Sequence, residues 1–321
     1  MTAPITLIIF ALVTAVLGPL LLRRFDWLDR APRLGILAWQ ALTASVVLAI
    51  VLVGLSLAVP NIPWTTDLAA LIDACAMVLR AQYSTPGGAA VSATGAVLAL
   101  AVISRLGYCL ITGRISARRA RKRQLDALVI VGRRRHGSGA LVVDHPSAAA
   151  YCLPGRQQTV VFTTAALGAL DEDQFAAVLA HERAHLRGHH HLILAAAEAL
   201  RRAFPQVSAF GVAHTELLCL VEMLADDNAV RNSSRLTVAT ALVRLAERNA
   251  APATALAAGG DTALSRVRRL VAPANSLGPA RTIAATLAAA ALIALPLVVL
   301  AVPAASASQH DPCSPATYQR L

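Results

Sequence analysis

The sequence predicts a mainly α protein: four membrane-spanning helices, with one α+β domain inserted between the third and the fourth. Three observations predict it. Hydrophobic residues make up 56% of the chain and the mean hydropathy is +0.59, which is too apolar for an ordinary soluble domain. The apolar residues gather in runs at 5–22, 34–59, 89–112 and 282–302, each close to the ~20 residues of helix that a bilayer core requires. Only segment 113–281 is long enough and polar enough to fold as a sizeable soluble domain.

The first run has no positive charge ahead of it. Its arginines, Arg23 and Arg24, follow it, so it reads as a span and not as a cleavable signal peptide. The loop after it carries Arg23, Arg24, Arg30 and Arg33, whereas the 60–88 loop carries only Arg80 against Asp67 and Asp73. The third run is followed at once by Arg114, Arg118, Arg119, Arg121, Lys122 and Arg123. Basic loops remain cytoplasmic. The expected topology therefore leaves the N-terminus, the 60–88 loop and the tail after Val302 outside the bacterial inner membrane, with the 113–281 domain in the cytoplasm. Arg105, near the cytoplasmic end of the third run, is placed to snorkel. The net charge of +11 sits on arginines flanking apolar runs, which fits membrane lipids as partners and not direct nucleic-acid binding. Cys75, Cys109, Cys152, Cys219 and Cys313 show no C-x-x-C spacing, which argues against a cysteine zinc site. Cys75 and Cys313 fall on the oxidising side of this topology and are expected to form a disulfide between loop and tail.

The inserted segment opens with a basic stretch expected to lie on the membrane surface. Residues 133–139 read as a turn, and short β-rich runs follow at 140–144, 149–153 and 159–163, the second closed by Pro154-Gly155. Asp171 with Gln174 has the form of a capping box. Phe175, Val178 and Leu179 then follow at helical spacing. The helix is expected to run on past Gly188, because residues 191–198 continue its pattern. Phe204-Pro205 marks a break. A second helix is expected over about 207–229, and further helices over 236–271 with an interruption at 258–261.

His181-Glu182-Arg183-Ala184-His185 has the H-E-x-x-H form. On a helix, residues four apart share a face, so both imidazoles can reach one Zn2+. Glu182 falls beside it, where a carboxylate can take a proton from a water acidified by the metal. The chemistry this predicts is attack of water on a peptide carbonyl, the reaction of a zinc metalloendopeptidase. Two residues are candidates for the third ligand. Glu222 is followed one turn later by Asp226, which can hold a ligand histidine through its other ring nitrogen. His191 is the alternative, because residues 181–191 also fit H-E-x-x-H-x-x-G-x-x-H. His191 would need the helix to break at Gly188, so Glu222 is preferred, and His189 and His190 are expected to be solvated or to support a ligand. His214 and Glu216 are expected to be structural or at the surface.

The strings at 150–155, 159–164 and 175–185 resemble membrane gluzincins of the HtpX type. The closer resemblance is to antirepressor peptidases of the BlaR/MecR type, carried by Phe204-Pro205 upstream of Glu222 and Asp226 and by three runs before the domain with one after it. The resemblance covers most of the chain. It implies a gluzincin-type fold in which His181, His185 and Glu222 bind one Zn2+ per chain, Glu182 is the base and Asp226 supports the ligands. It also implies that an extended substrate pairs with the strand around 148–151, and that the substrate is a winged-helix repressor in a signalling pathway. Receptors of that type carry an external penicillin-binding domain after the last span. Residues 303–321 leave no room for a folded domain, so direct β-lactam sensing is not expected. The alternatives are an HtpX-like quality-control peptidase and, from another class, a non-catalytic signalling scaffold, which the complete His-Glu-His-Glu set argues against.

Overall fold

The computed structural model describes residues 2–25, 27–59, 77, 87–155, 158–248, 256–273 and 277–308. Helix α1 (Thr2–Arg23), the short α2 (Trp27–Arg30) and α3 (Pro32–Ala58) come first, followed by α4 (Gly88–Val131). Pro32 opens α3, where its missing N–H has no intrahelical partner to lose. Helices α1, α4 and α11 (Pro279–Ser308) all lie against α3. The crossing of α3 and α4 is a backbone contact. A Cβ on Gly54 would lie 2.7 Å from the Gly95 carbonyl oxygen, and one on Gly95 2.5 Å from that of Gly54. Small residues permit such close approach between helices in lipid. Leu12, Val16 and Leu20 of α1, Leu100 and Ile103 of α4 and Leu287 of α11 are exposed, as befits helices whose solvent is hydrocarbon.

Among the described residues five helices are long and apolar enough to cross a membrane, and α1, α3, α4 and α11 coincide with the four apolar runs. The fifth is α8 (Ser208–Ala229). It carries Glu216, Glu222, Asp226 and Asp227 and packs against α3, α6 (Glu172–Arg187) and α7 (His190–Ala203). Cys75 and Cys313, and with them the expected disulfide, lie outside the described residues.

The basic stretch after the third run is not a separate element. It belongs to α4, which runs unbroken for 44 residues, about 66 Å at 1.5 Å per residue. Arg, Lys, Gln, Leu and Ala are strong helix formers, and after Gly113 no glycine or proline interrupts them before Gly132. Leu125 and Leu128 then pack on the sheet through Leu141, Leu153 and Val161.

The sheet consists of β1 (Arg133–Arg134), β2 (Leu141–Val143), β3 (Ala150–Leu153) and β4 (Thr159–Thr163), in the order β1-β2-β4-β3. The β2–β4 pair is parallel, and the β1–β2 and β3–β4 pairs are antiparallel. Part of the segment expected to be a turn therefore pairs as β1, and the reversal itself is made by Gly137 and Gly139 at φ +83° and +68°. Strand β4 is central and buried, and β3 forms one edge. Helix α5 (Thr164–Ala169) follows, N-capped by Thr163. The capping box of α6 is formed in both directions between Asp171 and Gln174. Phe175, Val178 and Leu179 pack beneath the sheet with Val160 and Phe162.

Two helical boundaries differ from the sequence reading. Helix α6 stops at Arg187, and the chain turns through Gly188 and a left-handed His189 (φ 50°) before α7 begins. The left-handed residue re-aims the chain, so that α7 can cover α4 and α8 together. The interruption expected at 258–261 is absent: these residues belong to α10 (Leu256–Val271). Two glycines cost such a helix about 1 kcal/mol each, and its far end is pinned. There Arg266 bonds Asp226, and Arg269 bonds Asp227 and the Asp29 carbonyl. Helix α9 (Arg235–Arg248) packs beside it.

The domain shares a core with the apolar helices. Leu28, Ile36 and the fully buried Trp39 meet Ala213, Leu217, Leu220 and Val221 of α8. Arg23 pairs with Glu216 at 3.1 Å, and Arg105 hydrogen-bonds the Ala203 carbonyl.

Candidate metal centre

Helix α6 places His181 and His185 on one face, a turn apart, and α8 crosses it with Glu222 opposite. The two Nε2 atoms are 3.1 Å apart. Glu222 Oε2 lies 3.4 Å from His181 Nε2, and its Oε1 3.4 Å from His185 Nε2. Four-coordinate zinc with ligands about 2.0–2.1 Å away needs donors about 3.3 Å apart. The donor set therefore fits one tetrahedral ion, and these three residues form a group that can hold a metal.

The other ring nitrogens are engaged as well. His181 Nδ1 lies 2.9 Å from Asp226 Oδ1, on a residue with no exposed surface. His185 Nδ1 lies 3.0 Å from His190 Nδ1. With Nδ1 occupied on both rings, both Nε2 lone pairs are left to the same point, the arrangement that orients ligand imidazoles. His190 is 3% exposed. Gly188 makes its position possible, since a Cβ there would lie 2.3 Å from His190 Nε2.

Arg266 of α10 closes the back of the site. Its Nε and Nη2 fork onto Asp226 at 2.8 and 2.7 Å, and its Nη1 lies 2.9 Å from Glu222 Oε2. Burial by itself would raise the Asp226 carboxyl, but the hydrogen bonds from Arg266 and His181 hold it at about 2. Glu222 is balanced in the same way. Burial raises it, and the His181 hydrogen bond with the Arg266 charge brings it to about 2. Both carboxylates are therefore ionised. Burial pushes His185 down to about 4, which leaves it neutral. Burial also opposes charge on His181, but its hydrogen bonds to Asp226 and Glu222 raise it to about 9. Without metal His181 thus keeps a proton that a metal ion would displace.

Glu182 faces a cavity of about 210 Å3 bordered by Ala150, Glu222, Val238, Leu242 and Leu245. Burial raises its carboxyl above the ordinary value. The Cys152 thiol of β3 donates to it and is itself pushed up to about 12, by burial first and by Glu182 next, so it remains a thiol.

Residues 117–271 match peptidase family M48. Neither a curated protein nor a solved structure matches the chain. The M48 segment begins inside α4, ends with α10 and contains the whole centre from His181 to Arg266. An M48 segment joined to helices apolar enough to cross a membrane fits a membrane metallopeptidase.

Of the residues singled out in the sequence, His181, Glu182, His185, Glu222 and Asp226 are brought together. His191 is not. Helix α6 breaks at Gly188 as the His191 alternative requires, yet His190 is the residue that turns to the centre, and His191 lines a separate cleft against α4. His189 is exposed. His214 lies 3.5 Å from Glu198 and Glu216 pairs with Arg23. Sequence reasoning did not find Arg266 or Cys152. Arg266 is one of several arginines on an amphipathic stretch, and nothing in the spacing distinguishes it from Arg268. Cys152 could have been found from the period-2 alternation of β3, which places it two residues from Ala150 on the same face.

Proposed function

We propose that the protein is a membrane-embedded zinc endopeptidase, with one Zn2+ per chain held by His181, His185 and Glu222. The carrying observation is the 3.1–3.4 Å spacing of two Nε2 atoms and a bridging carboxylate inside an M48 segment. A zinc ion held by these residues would supply the positive charge that acidifies water and polarises a carbonyl. Glu182 takes the proton of the attacking water and delivers it to the leaving amine, a task suited to a carboxylate whose pKa burial raises above its ordinary value. The Cys152 thiol orients Glu182. Asp226 and His190 fix the imidazoles, and Arg266 keeps Glu222 ionised. The free edge of β3, beside Glu182, offers its backbone groups to an extended peptide.

The loop arginines support an inner-membrane protein with its peptidase domain in the cytoplasm and its N-terminus and tail outside. On the resemblance to the BlaR/MecR type, the substrate is a cytoplasmic winged-helix repressor and the role is regulatory. Comparative proteomics of wild-type and Glu182→Gln cells tests the reading. An intact repressor accumulating in the variant is the expected result. Accumulation of misfolded membrane proteins would favour quality control. If no protein changes, the chain is not a peptidase in the cell.

A further inference from the structure

Helix α4 leaves its apolar run at Thr112 and continues without a break, and its next turns form one wall of a cleft of about 700 Å3. Arg114, Arg118, Arg121 and Lys122 line that wall. Their spacing of i, i+4, i+7 and i+8 places them on a single helical face. Arg119 and Arg123 take no part in it. The facing wall is the α6–α7 junction, with His189 and His191. A basic helical face ordinarily turns to open water, whereas this one turns onto a concavity closed by a second element.

The charge in the cleft is one-sided. Asp126 is the one acidic residue among the described lining residues. Among the described residues none of the four basic side chains has an ion-pair partner, although Arg121 donates to the Pro154 carbonyl at 3.4 Å. His191 carries a buried Nδ1 with no hydrogen-bond partner among the described residues. Burial, and then the charges of Arg121, His189 and Arg114, hold His191 below its ordinary pKa, so it is a neutral ring able to donate one N–H. Converging guanidinium, ammonium and imidazole donors suit a ligand with several anionic oxygens, and phosphate matches the guanidinium fork in geometry. The depth is also informative. From Gly113 to Lys122 the helix rises about 13 Å, which brackets the headgroup layer of about 5–8 Å per leaflet.

We propose that this cleft binds a phosphate-bearing anion, supplied in the membrane by the headgroup of an anionic phospholipid. The inference rests on α4 crossing the bilayer and is independent of the peptidase chemistry. It has a bearing on that chemistry all the same, because His189 and His191 flank the His190 that contacts His185.

The test uses the full chain in nanodiscs of phosphatidylcholine, with or without phosphatidylglycerol, and native mass spectrometry to count lipid retained after transfer to detergent. Two double variants remove equal charge from opposite faces of the same turns: Arg118→Gln/Lys122→Gln inside the cleft and Arg119→Gln/Arg123→Gln outside it. All four positions are on the helix surface, and melting curves confirm that both variants fold. Each basic residue at an anionic surface contributes about fivefold in affinity. The cleft variant is therefore expected to bind phosphatidylglycerol about 25-fold more weakly, while the outer variant, whose side chains do not line the cleft, binds like the wild type. Excess inorganic phosphate at matched ionic strength identifies the source of the ligand. Displacement of the lipid means that free phosphate occupies the same cleft, and retention means that the cleft takes the lipid alone. Equal weakening in both variants would reduce the effect to diffuse surface charge and overturn the proposal. Failure of the wild-type chain to prefer phosphatidylglycerol to phosphatidylcholine would overturn it as well.

Discussion

Replacing Gly188 with alanine isolates the contribution of His190 to the metal centre. Gly188 has φ −77° and ψ −3°, a conformation open to any residue, so the added methyl imposes no backbone strain. Its cost is steric. The Cβ would lie 2.3 Å from His190 Nε2, 2.6 Å from its Cδ2 and 3.0 Å from the Ala184 carbonyl oxygen. Normal contact is about 3.5–4.0 Å, so the ring must retreat by about 1 Å or more. His190 is 3% exposed and has little room to do so without abandoning its 3.0 Å contact with His185 Nδ1. Overpacking of this kind costs about 1–3 kcal/mol, and loss of a contact behind a ligand costs about 10–100-fold in metal affinity. Gly188→Ala is therefore expected to melt lower and to release zinc more readily to a fluorescent chelator. The double variant Gly188→Ala/His190→Ala removes the clash and should regain the stability but not the affinity, a non-additive pair in a double-mutant cycle. If Gly188→Ala matches the wild type in melting and in zinc affinity, or if the two changes simply add, His190 does not hold His185.

Three further outcomes are expected. Purified Glu222→Ala should lose most of its zinc by elemental analysis and His191→Ala should keep it; the reverse pattern would remove the assignment of Glu222. In chelator-treated protein, His181 at about 9 contributes stability in full below its ordinary 6.5 and loses it as pH rises through 9, whereas Asp226 at about 2 contributes above 3.8 and loses it as pH falls through 2. His185, held at about 4 by burial, has the opposite sign and loses stability as pH falls below 6.5. By linkage the metal-free protein should melt highest near pH 6.5 and lose stability on both sides, and zinc should abolish the alkaline loss in a melting series. In a cysteine-free background, an impermeant thiol reagent applied to intact cells should label Ser84→Cys, and should label Ser138→Cys only after permeabilisation; labelling of the latter in intact cells would reverse the topology.

The elements legible in the sequence were those in which a short local pattern determines the structure. The apolar runs, the alternation of β2 to β4 and the Asp171–Gln174 box each depend on neighbouring residues. The pair His181 and His185 is local too, because a helix sets four-residue neighbours on one face. Glu222 was legible because Asp226, one turn later, repeats the same spacing. The break at Gly188 was not, since residues 191–198 carry a helical pattern and only tertiary contact shows that the helix restarts in a new direction. Arg266 lies 40 positions from Asp226, and no periodicity connects them. The continuity of α4 was hidden for the opposite reason. A change from apolar to basic residues reads as a boundary, while helix propensity passes through it unchanged.

The core shared by α3 and α8 has a consequence for what counts as a unit of this protein. The stretch of sequence that matches M48 begins at residue 117 and ends at 271, but the surface it would expose if cut free includes Ala213, Leu217, Leu220 and Val221, which are now covered by Leu28, Ile36 and Trp39 from before residue 40. An aromatic side chain such as Trp39 by itself covers about 150–250 Å2. The inherited module and the folding module therefore have different edges. An excised 117–271 fragment would lack the wall against which its glutamate-bearing helix is set, because that wall is built from helices that the family match does not include.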